Sequence, residues 1–223
     1  MPNNRSVQAT TRTGTRSQRR GDARRMEILQ AAGRIFRQRG FSDAGMREIA
    51  ASADISPGNL YHYFKGKHEI LFFCQDRALE TMLAALATGE EGGEPAVDRL
   101  RQVLESHVMT ILDDVAGTAA HLEIDALPEE LRAAMVAKRD RYERGLRRLV
   151  TAVMEEKGLQ AADARLITRA MLGALNWTVR WYRPQGPASA RTVARSLIDY
   201  LIGGLTALPA QVSAGDGCPG EVT

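Results

Sequence analysis

Apolar residues in this chain recur at three- and four-residue steps, and no segment sustains a period of two, so the pattern predicts an all-α fold. Ile28, Leu29, Ala32, Ile35 and Phe36 mark a first helix over residues 22 to about 39, with Asp22 as N-cap and Gly40 as the stop. A short second helix over about 46–52 buries Ile49, Ala50 and Ala53. The third opens on Ser56 as N-cap with Pro57 at the first helical position, where a missing N–H costs nothing. From about residue 67 a fourth helix turns Ile70, Leu71, Cys74, Ala78, Met82 and Leu86 inward.

Residues 89–95, Gly and Glu closed by Pro95, read as an acidic, breaker-rich loop. Val97, Leu100, Val103, Leu104, His107, Val108, Ile111 and Leu112 mark a fifth helix, followed by a short helical segment at about 119–126. A long helix opens at Leu127-Pro128-Glu129, runs to about residue 157 and ends at Gly158, with Leu131, Met135, Tyr142, Leu146, Leu149, Val150 and Val153 on one side. Two last helices cover about 163–182 and 189–208, with Ser189 capping the second and residues 183–187 forming the turn between them. About nine helices result. They divide into a disordered basic arm (1–21), a three-helix helix-turn-helix DNA-binding domain (22–68), a longer helical domain (69–208), to which the family resemblance adds ligand binding and dimerisation, and a flexible tail (209–223).

Charge supports two modules. Up to Lys67 there are 13 Lys and Arg against 5 Asp and Glu, which leaves 17 against 22 of the totals of 30 and 27 for the rest. A basic front, with Arg5, Arg12, Arg16, Arg19, Arg20, Arg24 and Arg25 in and just after its arm, suits nucleic acid; an acidic remainder does not. The arm also resembles an organelle transit peptide, a reading ranked lower because a folded DNA-binding motif follows it. Cys74 and Cys218 are the two cysteines, so a disulfide framework is not indicated and a reducing cytoplasm is expected. No apolar run reaches the roughly 18 residues that a membrane span needs.

Inside the DNA-binding unit, Ala50 and Ala53 allow two helices to cross closely, and Asp54 sits where a left-handed turn residue is usual. Ile55 and Leu60 pin the third helix, with Tyr63 and Phe64 assigned to the core. Ser56, Pro57, Gly58, Asn59, Tyr61 and His62 are then free to face DNA, Asn toward adenine edges and Tyr or His toward phosphates or thymine methyls. Arg24, Arg25, Arg47, Lys65 and Lys67 complete the set of expected DNA contacts, the lysines gripping the backbone beside the groove.

The spelling over residues 25–32, then Ile35-Phe36, Gly40-Phe41, Ile49-Ala50 and 56–67 resembles the TetR family of transcriptional regulators. The match is residue by residue over about a fifth of the chain and extends to the whole by length and helix count. Two departures stand out: Ala44-Gly45 replaces the hydroxyl residues that often open helix two, and Asp54 replaces the usual turn Gly.

The resemblance implies a homodimer in which the last two helices pair with their copies. Leu172, Leu175, Val179, Val193, Leu197, Ile198, Leu201 and Leu205 are the expected dimer residues, with packing inside one subunit as the alternative. The segment 172–184, which holds both tryptophans, is similar to a TetR subgroup that answers to acyl-CoA thioesters of fatty-acid, steroid and aromatic catabolism. His107, Asn176, Trp177, Arg180 and Trp181 are therefore the expected effector contacts, a basic-aromatic rim suited to a phosphate-bearing, partly apolar ligand. An anchoring role for the two tryptophans in the dimer core is the alternative; His121 is a further pocket candidate.

The expected function is a repressor released from a near-palindromic operator on double-stranded DNA by a small-molecule effector, in the bacterial cytoplasm and at the nucleoid when bound. The alternatives are an architectural protein that binds DNA non-specifically, or a repressor sensing a hydrophobic drug-like compound. An enzyme is not expected, because no nucleophile–base pair or phosphate loop is present, and neither a cofactor nor a metal is called for.

Overall fold

The computed structural model describes residues 16–112, 124–159 and 163–209. Every regular element among them is helical. They are α1 (Arg16–Asp43), α2 (Met46–Ser52), α3 (Pro57–Tyr63), α4 (Lys67–Glu91), α5 (Ala96–Leu112), a 3-10 turn (Ile124–Ala126), α6 (Glu129–Glu156), α7 (Ala164–Trp181) and α8 (Ala190–Thr206). The helix expected at about 119–126 falls mostly outside the described residues; its described part is that 3-10 turn.

Local chemistry starts and stops most of these helices as the sequence suggests. Ser56 Oγ accepts from Asn59 N at 3.2 Å, Ser189 Oγ from Thr192 N at 3.1 Å, and Asp163 Oδ1 from Arg165 N at 2.9 Å, each satisfying an amide that its helix leaves open. Gly158 ends α6 at φ 60. Gly40, at φ 78 and ψ 166, breaks α1 where a stop is expected, although three helical residues follow it. The start of α1 is a correction: it begins at Arg16, so residues 16–21 belong to the helix and not to a disordered arm.

Residues 89–95 also need correction. Gly89 lies inside α4 and is buried, because a Cβ there would stand 2.8 Å from Val103 Cγ2 on α5. The residue that reads as a breaker is a close-packing site. A second such site is Gly145 on α6, where a Cβ would meet Leu86 Cδ2 of α4 at 2.2 Å. α4, α5 and α6 thus pack against one another with little room for change, and α7 and α8 lie against α5 and α6. Glu156, in the last turn of α6, accepts from Ala96 N at 2.8 and 3.1 Å and so caps α5 from another helix. One hydrophobic core runs from Ile28 to Leu205, and α4 crosses all of it, with Ile70 and Leu71 among the first helices and Met82 and Leu86 among the last.

Gly145→Ala is expected to destabilise the protein by about 1–3 kcal/mol, since Leu86 is itself buried and has nowhere to retreat. Chemical denaturation of both forms measures this, and an unchanged midpoint would contradict the close approach.

Candidate nucleic-acid interface and effector cavity

The turn between α2 and α3 is built from small residues and one strained one. Ala50 is fully buried and Ala53 is 8 % exposed, which lets the two helices cross tightly. Asp54 takes φ 52, the left-handed conformation a tight turn demands. Leu60 and Phe64 anchor α3 to the core, while Pro57, Gly58, Asn59, Tyr61 and His62 are exposed. Tyr61 is 55 % exposed, a large aromatic kept on the surface of a capped helix. At the opening of α2, Gly45 N donates to Glu48 Oε2 at 3.2 Å, half of a capping box that needs no hydroxyl side chain. Arg47 and Lys65 are exposed beside this face.

Four expected DNA contacts are engaged within the domain. The Lys67 ammonium donates to Ser42 O at 2.8 Å, Phe41 O at 3.1 Å and Ala44 O at 3.4 Å, and lies 4.8 Å from the Phe41 ring centre. An ammonium has three hydrogens, and here the carbonyls of the last residues of α1 and of Ala44 can take all three, so Lys67 caps the end of α1 in this structure. Arg24 donates to Asp54 O at 3.0 Å and pairs with Glu27, which ties α1 to the turn itself. Arg25 donates to Tyr63 O at 3.3 Å and sits 5.6 Å from the rings of both Phe64 and Phe73. Ser56, likewise, uses its hydroxyl oxygen as the cap of α3. Sequence spacing marks such cations as basic and exposed but is silent about carbonyls 23 or more residues away.

In the second half, α4, α5, α6 and α7 enclose a cavity of about 180 Å³ lined by Leu79, Met82, His107, Arg139, Asp140, Tyr142, Glu143, Leu172 and Asn176. His107 is 1 % exposed, with Nδ1 at 3.1 Å from Tyr142 Oη and Nε2 at 3.0 Å from Asn176 Oδ1. Burial holds the imidazole pKa down at about 4, against a smaller upward pull from Asn176. The Tyr142 phenol is raised by burial, and desolvation lowers Arg139 against the opposing charge of Asp125. A more open groove of about 590 Å³ lies between Thr81, Ser106, Met109, Thr110, Leu112, Tyr182, Pro184 and Ala190.

The expected effector set therefore splits. His107 and Asn176 meet at the cavity, whereas Trp177, Arg180 and Trp181 do not line it. At about 100° per residue the latter three share a face of α7 that points outward, with Trp177 63 % and Trp181 47 % exposed. His121 lies outside the described residues. Tyr142 and Leu172 were missed as cavity residues. Tyr142 reads as one more apolar step on its helix, and its hydroxyl only gains meaning beside His107.

The expected dimer stripe splits too. Leu175, Val193, Ile198 and Leu205 are buried in their own subunit, and Leu172, Val179, Leu197 and Leu201 are half-buried there. α7 and α8 instead expose Leu166, Trp177, Trp181 and Tyr200, interspersed with Ala170, Gly173, Ala174, Gly203 and Gly204. No described cluster of His, Cys, Asp and Glu could hold a metal, and no described helix is long and apolar enough to cross a membrane.

Residues 28–72 match the family model described as bacterial regulatory proteins, tetR family, and residues 93–205 match the tetracyclin repressor-like C-terminal domain. The chain belongs to the TetR family. Its relatives include the HTH-type transcriptional repressor KstR2 of Mycobacterium tuberculosis, 27 % identical over 188 residues that cover 83 % of this chain and 94 % of that one. Among solved structures, the TetR family regulator PfmR from Thermus thermophilus is 32 % identical with a TM-score of 0.71, covering 79 % of this chain and 97 % of the other. AibR, solved in complex with isovaleryl coenzyme A and operator DNA, is 22 % identical with a TM-score of 0.69, covering 80 % and 98 %. That last likeness concerns the fold.

A histidine held neutral by burial makes this TetR-family chain less stable in acid. The folded pKa of about 4 lies below the ordinary 6.5, so the contribution of His107 is full above 6.5 and is lost as pH falls toward 4. His107→Gln is expected to remove that part, about 3 kcal/mol, of the stability difference between pH 7.5 and pH 4. Denaturant titrations at both pH values test this; parallel losses in the two proteins would contradict it.

Proposed function

We propose that the chain is a one-component repressor that holds a near-palindromic operator as a homodimer and lets go when a small molecule enters the cavity between α4 and α7. The observation that carries the DNA-binding part is α3: a Pro-started, Ser-capped helix fixed from behind by Leu60 and Phe64 and presenting Asn59, Tyr61 and His62 to solvent. A short rigid helix of that kind suits the major groove, and its Asn and Tyr side chains suit base edges and phosphates. Arg47 and Lys65 are placed beside it for backbone contacts, while Arg24, Arg25 and Lys67 set the helix at its angle to the rest of the domain.

The outward faces of α7 and α8 support the dimer. Gly173, Gly203 and Gly204 have open space where a Cβ would stand, so nothing among the described residues requires them. A helix-interior glycine costs about 1 kcal/mol relative to alanine, and close approach by a second α7–α8 pair gives that cost a purpose. Trp177, Trp181, Leu166 and Tyr200 are the large side chains such a contact would cover. Two-fold symmetry then sets two α3 helices on one side, about one DNA turn apart.

An acyl-CoA thioester is the effector class we favour. A neighbour of this fold binds isovaleryl coenzyme A, and the relative KstR2 has been solved under the description ketosteroid transcriptional regulator. The small cavity suits the acyl end of such a molecule. Release requires only that the ligand favour one subunit arrangement over the other, a coupling of about 1–3 kcal/mol. α4 is the natural carrier, since Leu79 and Met82 line the cavity and Lys138 of α6 pairs with Asp76 and Glu80 on the same helix.

Tyr61→Ala and His62→Ala are each expected to abolish footprints on the DNA flanking the gene while the protein stays dimeric; normal footprints from both variants would sink the α3 assignment. Trp177→Glu combined with Tyr200→Glu is expected to give a folded monomer in sedimentation velocity and to lose operator binding in parallel. A dimer that survives both charges would place the subunit contact elsewhere.

A further inference from the structure

The contacts of His107 with Tyr142 and Asn176 set the hydrogen positions between these three side chains, and they fix the direction in which Asn176 faces the cavity. Tyr142 is 3 % exposed, and among the described residues its hydroxyl has one hydrogen-bond partner, His107 Nδ1 at 3.1 Å. A buried O–H with no acceptor costs about 1–3 kcal/mol. The phenol proton must therefore be donated to Nδ1, which has to be bare. A neutral imidazole then carries its hydrogen on Nε2. That nitrogen stands 3.0 Å from Asn176 Oδ1, an atom that can only accept. The amide oxygen is thus taken by the imidazole, and the two N–H groups of Asn176 are left without an acceptor among the described residues. Turning the amide round would require Nε2 to accept and Nδ1 to donate to the Tyr142 oxygen, which would strand the phenol proton in the core.

We propose that His107 and Tyr142 are positioning residues that aim the Asn176 N–H donors into the cavity, and that the effector presents an uncharged carbonyl-type oxygen to them. The proposal rests on the sensor reading of this cavity and adds its chemistry. Leu79, Met82 and Leu172 give the carbonyl an apolar surround. A volume of about 180 Å³ lies below the roughly 300–1,000 Å³ that houses drug-sized ligands, so a short chain or the end of a larger molecule is what enters. A free carboxylate is disfavoured. Asp140 and Glu143 line the same space, the Arg139 guanidinium that also lines it is already in the field of Asp125, and the neutral imidazole supplies no balancing charge.

Two measurements on the full-length protein test this. Nitrogen-15 NMR of the imidazoles at pH 7 should find His107 protonated on Nε2 and bare on Nδ1, with the two tautomers mixing in Tyr142→Phe; the opposite tautomer in the unaltered protein overturns the proposal. Calorimetry then compares isovaleryl coenzyme A and a neutral ketosteroid with analogues in which the carbonyl oxygen is replaced by two hydrogens. At least one carbonyl probe should bind tenfold or more tightly than its analogue, and Asn176→Leu should erase that difference. If no carbonyl probe outbinds its analogue, or if Asn176→Leu keeps the preference, the assignment is wrong even while operator binding persists. A carbonyl probe that binds through Asn176 without changing operator occupancy would uphold the assignment and instead refute the regulatory reading of the cavity.

Discussion

Burial of a single helix at both of its ends is the constraint on which this molecule depends. α4 begins under the DNA-facing unit, where Ile70, Leu71 and Cys74 sit against α1, and ends in the C-terminal bundle, where Met82 and Leu86 pack on α5 and α6. Cys74 shows how dry the first of these contacts is, since burial pushes its thiol up to about 12. At the second, the Val103 and Leu86 side chains lie so close to Gly89 and Gly145 that a methyl group on either glycine has no place. A rod gripped at both ends cannot tilt at one end without answering at the other.

The rod also touches each functional feature. Its first residue, Lys67, closes the carbonyl end of α1, and α1 in turn holds the turn before α3 through Arg24 and the end of α3 through Arg25. Further along, Leu79 and Met82 form one wall of the cavity, with Asp76 and Glu80 paired to Lys138 across from them. On the proposed function, an effector that enters beside Asn176 would press on α4, and α4 carries the base on which α3 stands. Packing, capping and effector response belong to one mechanical chain in this account.

What was legible in the sequence is what local chemistry decides. Ser56 and Pro57 state where α3 begins, Asp54 reveals its turn, and the three- and four-residue steps of α4 and α6 name their buried sides, because each signal is complete within a few residues. Distant partners hid the rest. Lys67 reads as a surface cation until the ends of α1 come within 3 Å of it, and Gly89 reads as a breaker until Val103 is laid beside it. α7 and α8 are ambiguous for a different reason. Both of their faces are apolar, so the pattern alone does not say whether Leu175 and Ile198, which turn inward, or Trp177 and Tyr200, which turn outward, would face the second subunit of the proposed dimer.

The shared rod can be tested directly by native-state hydrogen exchange along α4. The account predicts unbroken slow exchange from about Ile70 to Leu86, with amides in the middle of the helix opening only when the whole protein does. Fast exchange confined to the stretch around Gln75 and Ala78, with protection kept on either side, would show two independently folded halves joined by a hinge and would contradict it.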